Sequence, residues 1–396
     1  MSIDLARVRA ETPGCEGVVH FNNAGASLQP RPVLDAQLAM LESEAVHGGY
    51  EADEIESERL DRFRTAGARL LGADPREIAY TSSASEAWWR AFTSVPLRAG
   101  QKVLLDRATY NANAFAMIQA QQGGVELVLI GDDQHGQLDL DELDAHLGPD
   151  VALVCVTHVP TSGGLVNPAE EVGALLAGRE AWYLLDACQS AGQLDIDVAR
   201  IGCHLLSLTG RKFVRGPRGS GLLWVDQRRL DELDDPTFID ARSAEWIAPF
   251  EYRLAPDAQR FEFFEHSRSA RAGFGVALEY AVHLGIADIE SRVVELAAEL
   301  RHELDRVPGV AVADLGRRRC GIVTFEIDGL DAPQVSDRLR QRSINTSVTT
   351  AASARLDLGA RGIEHLVRAS VHYFNQRSEI DQLTDAVSDL AAHARR

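Results

Sequence analysis

Two apolar runs restrict this chain more than any other feature. Tyr183-Leu184-Leu185 leads straight into Asp186, and Leu206-Ser207-Leu208 leads into Thr209-Gly210-Arg211-Lys212. Short apolar runs followed by a turn signal are the pattern of strands buried on both faces. In open α/β sheets the C-terminal ends of such strands deliver polar side chains into a ligand crevice. Lys212 follows Asp186 by 26 residues, which leaves room for one crossover between neighbouring parallel strands.

The same alternation extends upstream. Ile78-Ala79-Tyr80, Val103-Leu104-Leu105, Val125 to Ile130 and Val151 to Val156 read as strands separated by helical patterns. This predicts an α/β fold with a mostly parallel central sheet covered by helices. Beyond two long helical segments, from about 272 to 284 and from 286 to 307, the pattern changes. Runs at 309–313, 321–327 and 366–371 alternate as antiparallel strands do, with helices expected from Ala332 to Arg342 and from Ser378 to Ala392. A smaller α+β C-terminal domain is therefore expected. The boundaries are a large domain over 20–265, with 1–19 and 266–396 forming the small one.

Composition narrows the function classes. The 396 residues are 45% hydrophobic and 25% charged, as in a globular protein, and the net charge is −19. That field repels nucleic acid and anionic membranes, so neither is expected as a partner. Cys15, Cys155, Cys188, Cys203 and Cys320 are odd in number and form no CxxC pair. They read as free thiols of a reducing compartment, with no metal site. The first 14 residues carry charges throughout, and no apolar run approaches the roughly 20 residues of a membrane span. A cytoplasmic protein is expected.

An acid and an amine at adjacent strand ends suit pyridoxal 5′-phosphate. The amine forms a Schiff base with the aldehyde, and the acid keeps the pyridine nitrogen protonated so that the ring draws off electrons. Taken singly, Asp186 reads equally well as a helix cap and Lys212 as a solvated lysine. The segments LLDACQSAGQ and SLTGRKFVRGPRGSGLLWV together resemble the aspartate and lysine motifs of the class V aminotransferase family of pyridoxal-phosphate-dependent fold type I enzymes. That family includes cysteine desulfurases, selenocysteine lyases, isopenicillin N epimerase-like enzymes and ergothioneine-pathway C–S lyases.

The resemblance implies roles for particular residues. Thr81-Ser82-Ser83-Ala84-Ser85-Glu86-Ala87 is similar to the phosphate loop, with Ser83, Ala84 and Ser85 at the phosphate, and a helix N-terminus offers N–H groups to such an anion. Tyr110, before Asn111-Ala112-Asn113, takes the ring-stacking position where desulfurases carry histidine. Thr161 and Gln189 fall at the ring oxygen, and Thr209 and Arg211 at the phosphate. Lys212, Asp186 and Tyr110 are the implied catalytic residues. Arg368, within Val367-Arg368-Ala369-Ser370, is implied to pair with a substrate α-carboxylate, with Asn23 and Asn375 also at the substrate. Phe264 and Glu265 stand where relatives carry a Gly-Thr pair that reaches a partner subunit's phosphate. A homodimer is still implied.

The expected reaction acts on a small amino-acid substrate through a Cα carbanion. Desulfurases carry a sulfur-accepting cysteine in the loop before the arginine strand, and here residues 343–355 contain none. Tyr110, Pro160-Thr161-Ser162 and that loop together favour a β-eliminating C–S lyase on a cysteine-derived substrate, and argue against a persulfide-forming cysteine desulfurase. A class V aminotransferase or amino-acid epimerase is the alternative. A non-catalytic binding module on the same fold is the rival from another class.

Overall fold

The computed structural model describes residues 3–395. Seven strands form the central sheet, in the order Ile78–Thr81, Gly221–Val225, Leu205–Thr209, Trp182–Asp186, Val151–Thr157, Lys102–Leu105 and Glu126–Leu129. All run parallel except Gly221–Val225, which is antiparallel to both its neighbours. The expected α/β architecture is therefore present.

Side-chain alternation explains how the sheet is covered. Tyr183, Leu185, Leu206 and Leu208 pack on one face with Phe63, Leu71, Val172 and Phe274 from helices. Trp182, Leu184 and Leu205 pack on the other with Trp88, Phe92 and Met117. Successive strand residues point to opposite faces, so a strand covered on both must be apolar throughout. Leu184 and Leu185 are fully buried, each stabilising the fold by about 2 kcal/mol. Asp186 is the next residue in this alternation and shares the face of Trp182 and Leu184, below the helices Ala84–Ser94 and Asn111–Gln122.

A second sheet is antiparallel, in the order Val310–Val312, Ile322–Ile327, His365–Ser370 and Ser347–Thr350. Val367 and Ala369 pack into a core with Leu296, Leu300 and Leu383 of the helices Ile286–Asp305 and Arg377–Ala394. Arg368, lying between them in sequence, is thereby directed away from that core. Its strand partners are Thr324 and Ser347.

The N-terminal segment belongs with this second core. Val19–His20 pairs in parallel with Ile344–Asn345, and Val8 and Phe21 are buried there. Helix Arg268–Leu284 links the two cores: Phe274 and Leu278 pack under the large sheet, and Ala281 packs with the small one. Segment 236–270, which reads as irregular in sequence, contains the antiparallel hairpin Ala244–Ala248/Glu251–Leu254. Its strands carry no core-facing apolar row because both faces are largely exposed, with Trp246 at 79% and its neighbour Ile247 at 47%. Among the described residues no single helix is long and apolar enough to cross a membrane.

Candidate active site

Three parallel strands end beside one another at one edge of the large sheet. Trp182–Asp186 delivers Asp186, Leu205–Thr209 leads to Arg211 and Lys212, and Val151–Thr157 leads to Thr161. Two helix N-termini face them, one at Ser83–Ser85 and the other at Tyr110. The cavity between is lined by Ser83, Ala84, Ser85, Tyr110, Thr161, Asp186, Gln189, Thr209, Arg211 and Lys212, which are all ten residues assigned above to the cofactor. Asn113, Thr157, Val159 and Cys188 complete the wall.

Asp186 is held by two donors. Asn113 Nδ2 donates to Oδ2 at 2.7 Å, and the Cys188 backbone N–H donates to Oδ1 at 2.9 Å. This fixes the carboxylate plane and leaves its remaining lone pairs for the cavity. Lys212 is buried, and burial lowers its pKa to about 8, with Arg211 and Arg368 adding to the effect and Cys188 and Asp186 opposing it. Near neutral pH an appreciable fraction is then free amine, the form that condenses with an aldehyde.

The anion end is built from backbone. Ser83 caps the Ala84–Ser94 helix, its hydroxyl accepting from the Glu86 N–H at 3.1 Å. The N–H groups of Ala84 and Ser85 therefore remain for an anion at the positive end of the helix dipole. A Cβ on Gly221 would lie 2.4 Å from the Ser83 carbonyl carbon and 2.7 Å from the Ala84 nitrogen. Only glycine lets this strand press against the turn. Arg211 also lines the cavity, its Nη1 donating to the Gly25 carbonyl.

Gln189 Nε2 donates to Thr161 Oγ1 and to the Ala24 carbonyl, both at 3.2 Å, while its buried Oε1 has no partner among the described residues. An unpaired buried acceptor costs about 1–3 kcal/mol, and it marks a polar wall built for something more than protein. Three cations, Arg211, Lys212 and Arg368, stand near one carboxylate, Asp186. That donor set fits a phosphorylated pyridine aldehyde.

Arg368 reaches the cavity wall at Thr161 from the second sheet. Its Nη1 donates to the Thr161 carbonyl and to Thr161 Oγ1, both at 2.8 Å, and its Nε donates to Ser347 Oγ at 3.0 Å. Burial lowers its pKa to about 10, with Arg211 reinforcing and Tyr110 opposing. Among the described residues no carboxylate pairs with it. A buried cation held only by neutral groups favours capture of an anion.

Two expected substrate contacts are not brought to this point. Asn23 is fully buried, with Nδ2 bonded to the Ser370 and His20 carbonyls and Oδ1 to Ser27 Oγ. Asn375 is equally buried, bonded to the His20 carbonyl, Glu379 and the His372 N–H. Both amides are used up in holding the N-terminal turn to the second sheet and the residues that follow it. Phe264 and Glu265 are exposed. Sequence reasoning passed over Asn113 and Ser347 as site residues, and it also passed over a simple count. The chain has only two lysines, Lys102 and Lys212, and Lys102 is paired with Asp150 at 2.7 Å at the start of its strand.

The aminotransferase class-V family profile matches residues 19–383. The chain belongs to the class V aminotransferase family. Its fold is the fold type I of pyridoxal-phosphate enzymes, and pyridoxal 5′-phosphate is its cofactor. A probable cysteine desulfurase from Pyrococcus abyssi (strain GE5 / Orsay) is 25% identical over 98% of both chains. One from Xylella fastidiosa (strain 9a5c) is 28% identical over 98% of this chain and 95% of its own. The apo structure of cysteine desulfurase from Thermococcus onnurineus NA1 superposes with a TM-score of 0.91 at 25% identity, covering 99% of each chain.

These likenesses correct two expectations for this class V protein. The preference for a β-eliminating C–S lyase, with aminotransferase or epimerase as alternatives, is overturned. So is the exclusion of a persulfide-forming cysteine desulfurase. The sequence argument leaned on one cysteine-free loop and a few substitutions. Likeness to proteins named as desulfurases extends along nearly the whole chain.

Proposed function

We propose that this class V protein is a pyridoxal-phosphate-dependent enzyme of the cysteine desulfurase kind, which takes L-cysteine, passes its sulfur to a thiol as a persulfide and releases alanine. The observation that carries this reading is Arg368, a buried guanidinium with only neutral partners, beside the Lys212 cavity. An amino acid whose carboxylate pairs with Arg368 would bring its amino group toward Lys212. The relatives' names supply the choice of cysteine.

When bound, the cofactor supplies an aldehyde and an electron-accepting ring. Lys212 would hold it through its amine, and as a free amine would be the base for the substrate Cα proton. Asp186 would keep a proton on the ring nitrogen, and Tyr110 would offer the ring an aromatic wall. Ser83, Ala84, Ser85, Thr209 and Arg211 hold the phosphate, with Ser83 acting as the cap that frees its neighbours' N–H groups. Gln189 and Thr161 would address the ring oxygen, and Arg368 would fix the substrate carboxylate and so its orientation in the cavity.

Cofactor-loaded protein given L-cysteine and dithiothreitol should release alanine and sulfide in equal amounts. Pyruvate and ammonia in their place, or no alanine at all, would overturn the reading.

Trp246 and Tyr252, paired across the hairpin and both exposed, with Phe250 exposed at its turn, favour a homodimer, since an exposed apolar patch marks protein contact. We also propose two domains, 20–265 and 1–19 with 266–396, bridged by the Arg268–Leu284 helix. The five free cysteines favour a cytoplasmic location.

A further inference from the structure

We infer that Asp357 is a positioning residue for the substrate carboxylate, acting through Ser162 and Thr161 on Arg368; this rests on the reading of Arg368 given above. Ser347–Thr350 and His365–Ser370, the two strands that hold Arg368 and its partner Ser347, are joined by a run of turns over 351–364. That connection does not stay with the small sheet. Asp357 Oδ2 accepts from Ser162 Oγ at 2.6 Å, and Ser162 is buried. Ser162 directly follows Thr161, whose carbonyl and hydroxyl both receive Arg368 Nη1.

The contacts therefore close a ring across the domain boundary. Arg368 grips Thr161, Thr161 is covalently joined to Ser162, Ser162 grips Asp357, and Asp357 returns through the connection to the Arg368 strand. Two further contacts make the connection stiff. Leu358 is fully buried against Ala354 and Leu366, the latter on the arginine strand itself, and Arg361 pairs with Asp357 at 3.3 Å. Thr161 Oγ1 also receives Gln189 Nε2, so the same hydroxyl ties the substrate arginine to the cofactor wall. A short hydrogen bond from a buried hydroxyl to a carboxylate is of the stronger, charge-assisted type. Without it the 160–163 turn loses one of its ties to the second sheet, and Arg368 loses part of the fixed geometry that binding a carboxylate requires.

Ser162→Ala and Asp357→Ala should each raise KM for L-cysteine about tenfold while changing kcat less than about threefold. The double variant should be no worse than either single one, because both remove the same contact. Asp357→Asn keeps an acceptor oxygen and should stay within about threefold of the parent. Trypsin should cut cofactor-loaded Asp357→Ala after Arg355 and Arg361 several-fold faster than the parent. KM within twofold of the parent in both single variants, additive losses in the double, or an asparagine variant as poor as the alanine one would overturn the inference. If the parent does not turn over cysteine, the proposed reaction has failed. The positioning role is then decided by proteolysis, and unchanged cleavage overturns it.

Discussion

The cofactor end and the substrate end of this site are made in different ways. Asp186, Lys212 and the Ser83–Ser85 turn all rise from one sheet and the helices packed on it, and they are fixed by the same buried leucines that make the fold. Arg368 comes from a second sheet with its own core, and it reaches the site only where the two meet, at Thr161. The first end is as rigid as a single core. The second depends on how the two cores dock, so substitutions there should act on substrate affinity more than on the cofactor.

The sharpest test of that contrast is Lys212→Ala. It should reduce turnover by about 10³-fold or more, while leaving the secondary structure seen by circular dichroism intact. Arg368→Ala should raise KM by about 10²-fold, since a charge-assisted contact in a buried site is lost, yet leave the cofactor's absorbance unchanged; an altered spectrum would break the separation between the two ends. Asn113→Ala removes one of the two donors on Asp186. A loss of about tenfold in kcat with KM unchanged would place its effect on the cofactor end alone.

The smallest expected effect concerns pH. Lys212 has a folded-state pKa of about 8 against 10.5 for a free lysine. Between those values the unfolded chain binds more protons, so cofactor-free protein should gain stability as pH rises from about 8 toward 10.5. Lys212→Met should flatten that rise in thermal melts.

The same contrast governs what the sequence revealed. A strand buried on both faces announces itself as a continuous apolar run, and the residue that ends it is at the crevice by geometry. Asp186 and Lys212 were legible for that reason, and the Ser83–Ser85 turn because small residues before a helix form a recognisable cap. Contacts between distant segments leave no such periodic trace. Thr161 and Arg368 are 207 residues apart, and the Ser162–Asp357 bond spans 195. Asn23 and Asn375 misled for a related reason: a polar side chain near a functional turn has the same sequence signature whether it faces the substrate or the backbone. The hairpin at 244–254 was lost because its strands are short and largely exposed, so no buried apolar run marks them.

The two-lysine composition allows a direct test of the central claim. Protein mixed with pyridoxal 5′-phosphate, reduced with borohydride and digested should carry the pyridoxyl phosphate mass on the peptide containing Lys212, with the Lys102 peptide unmodified. Label on Lys102, or on neither peptide, would contradict the account.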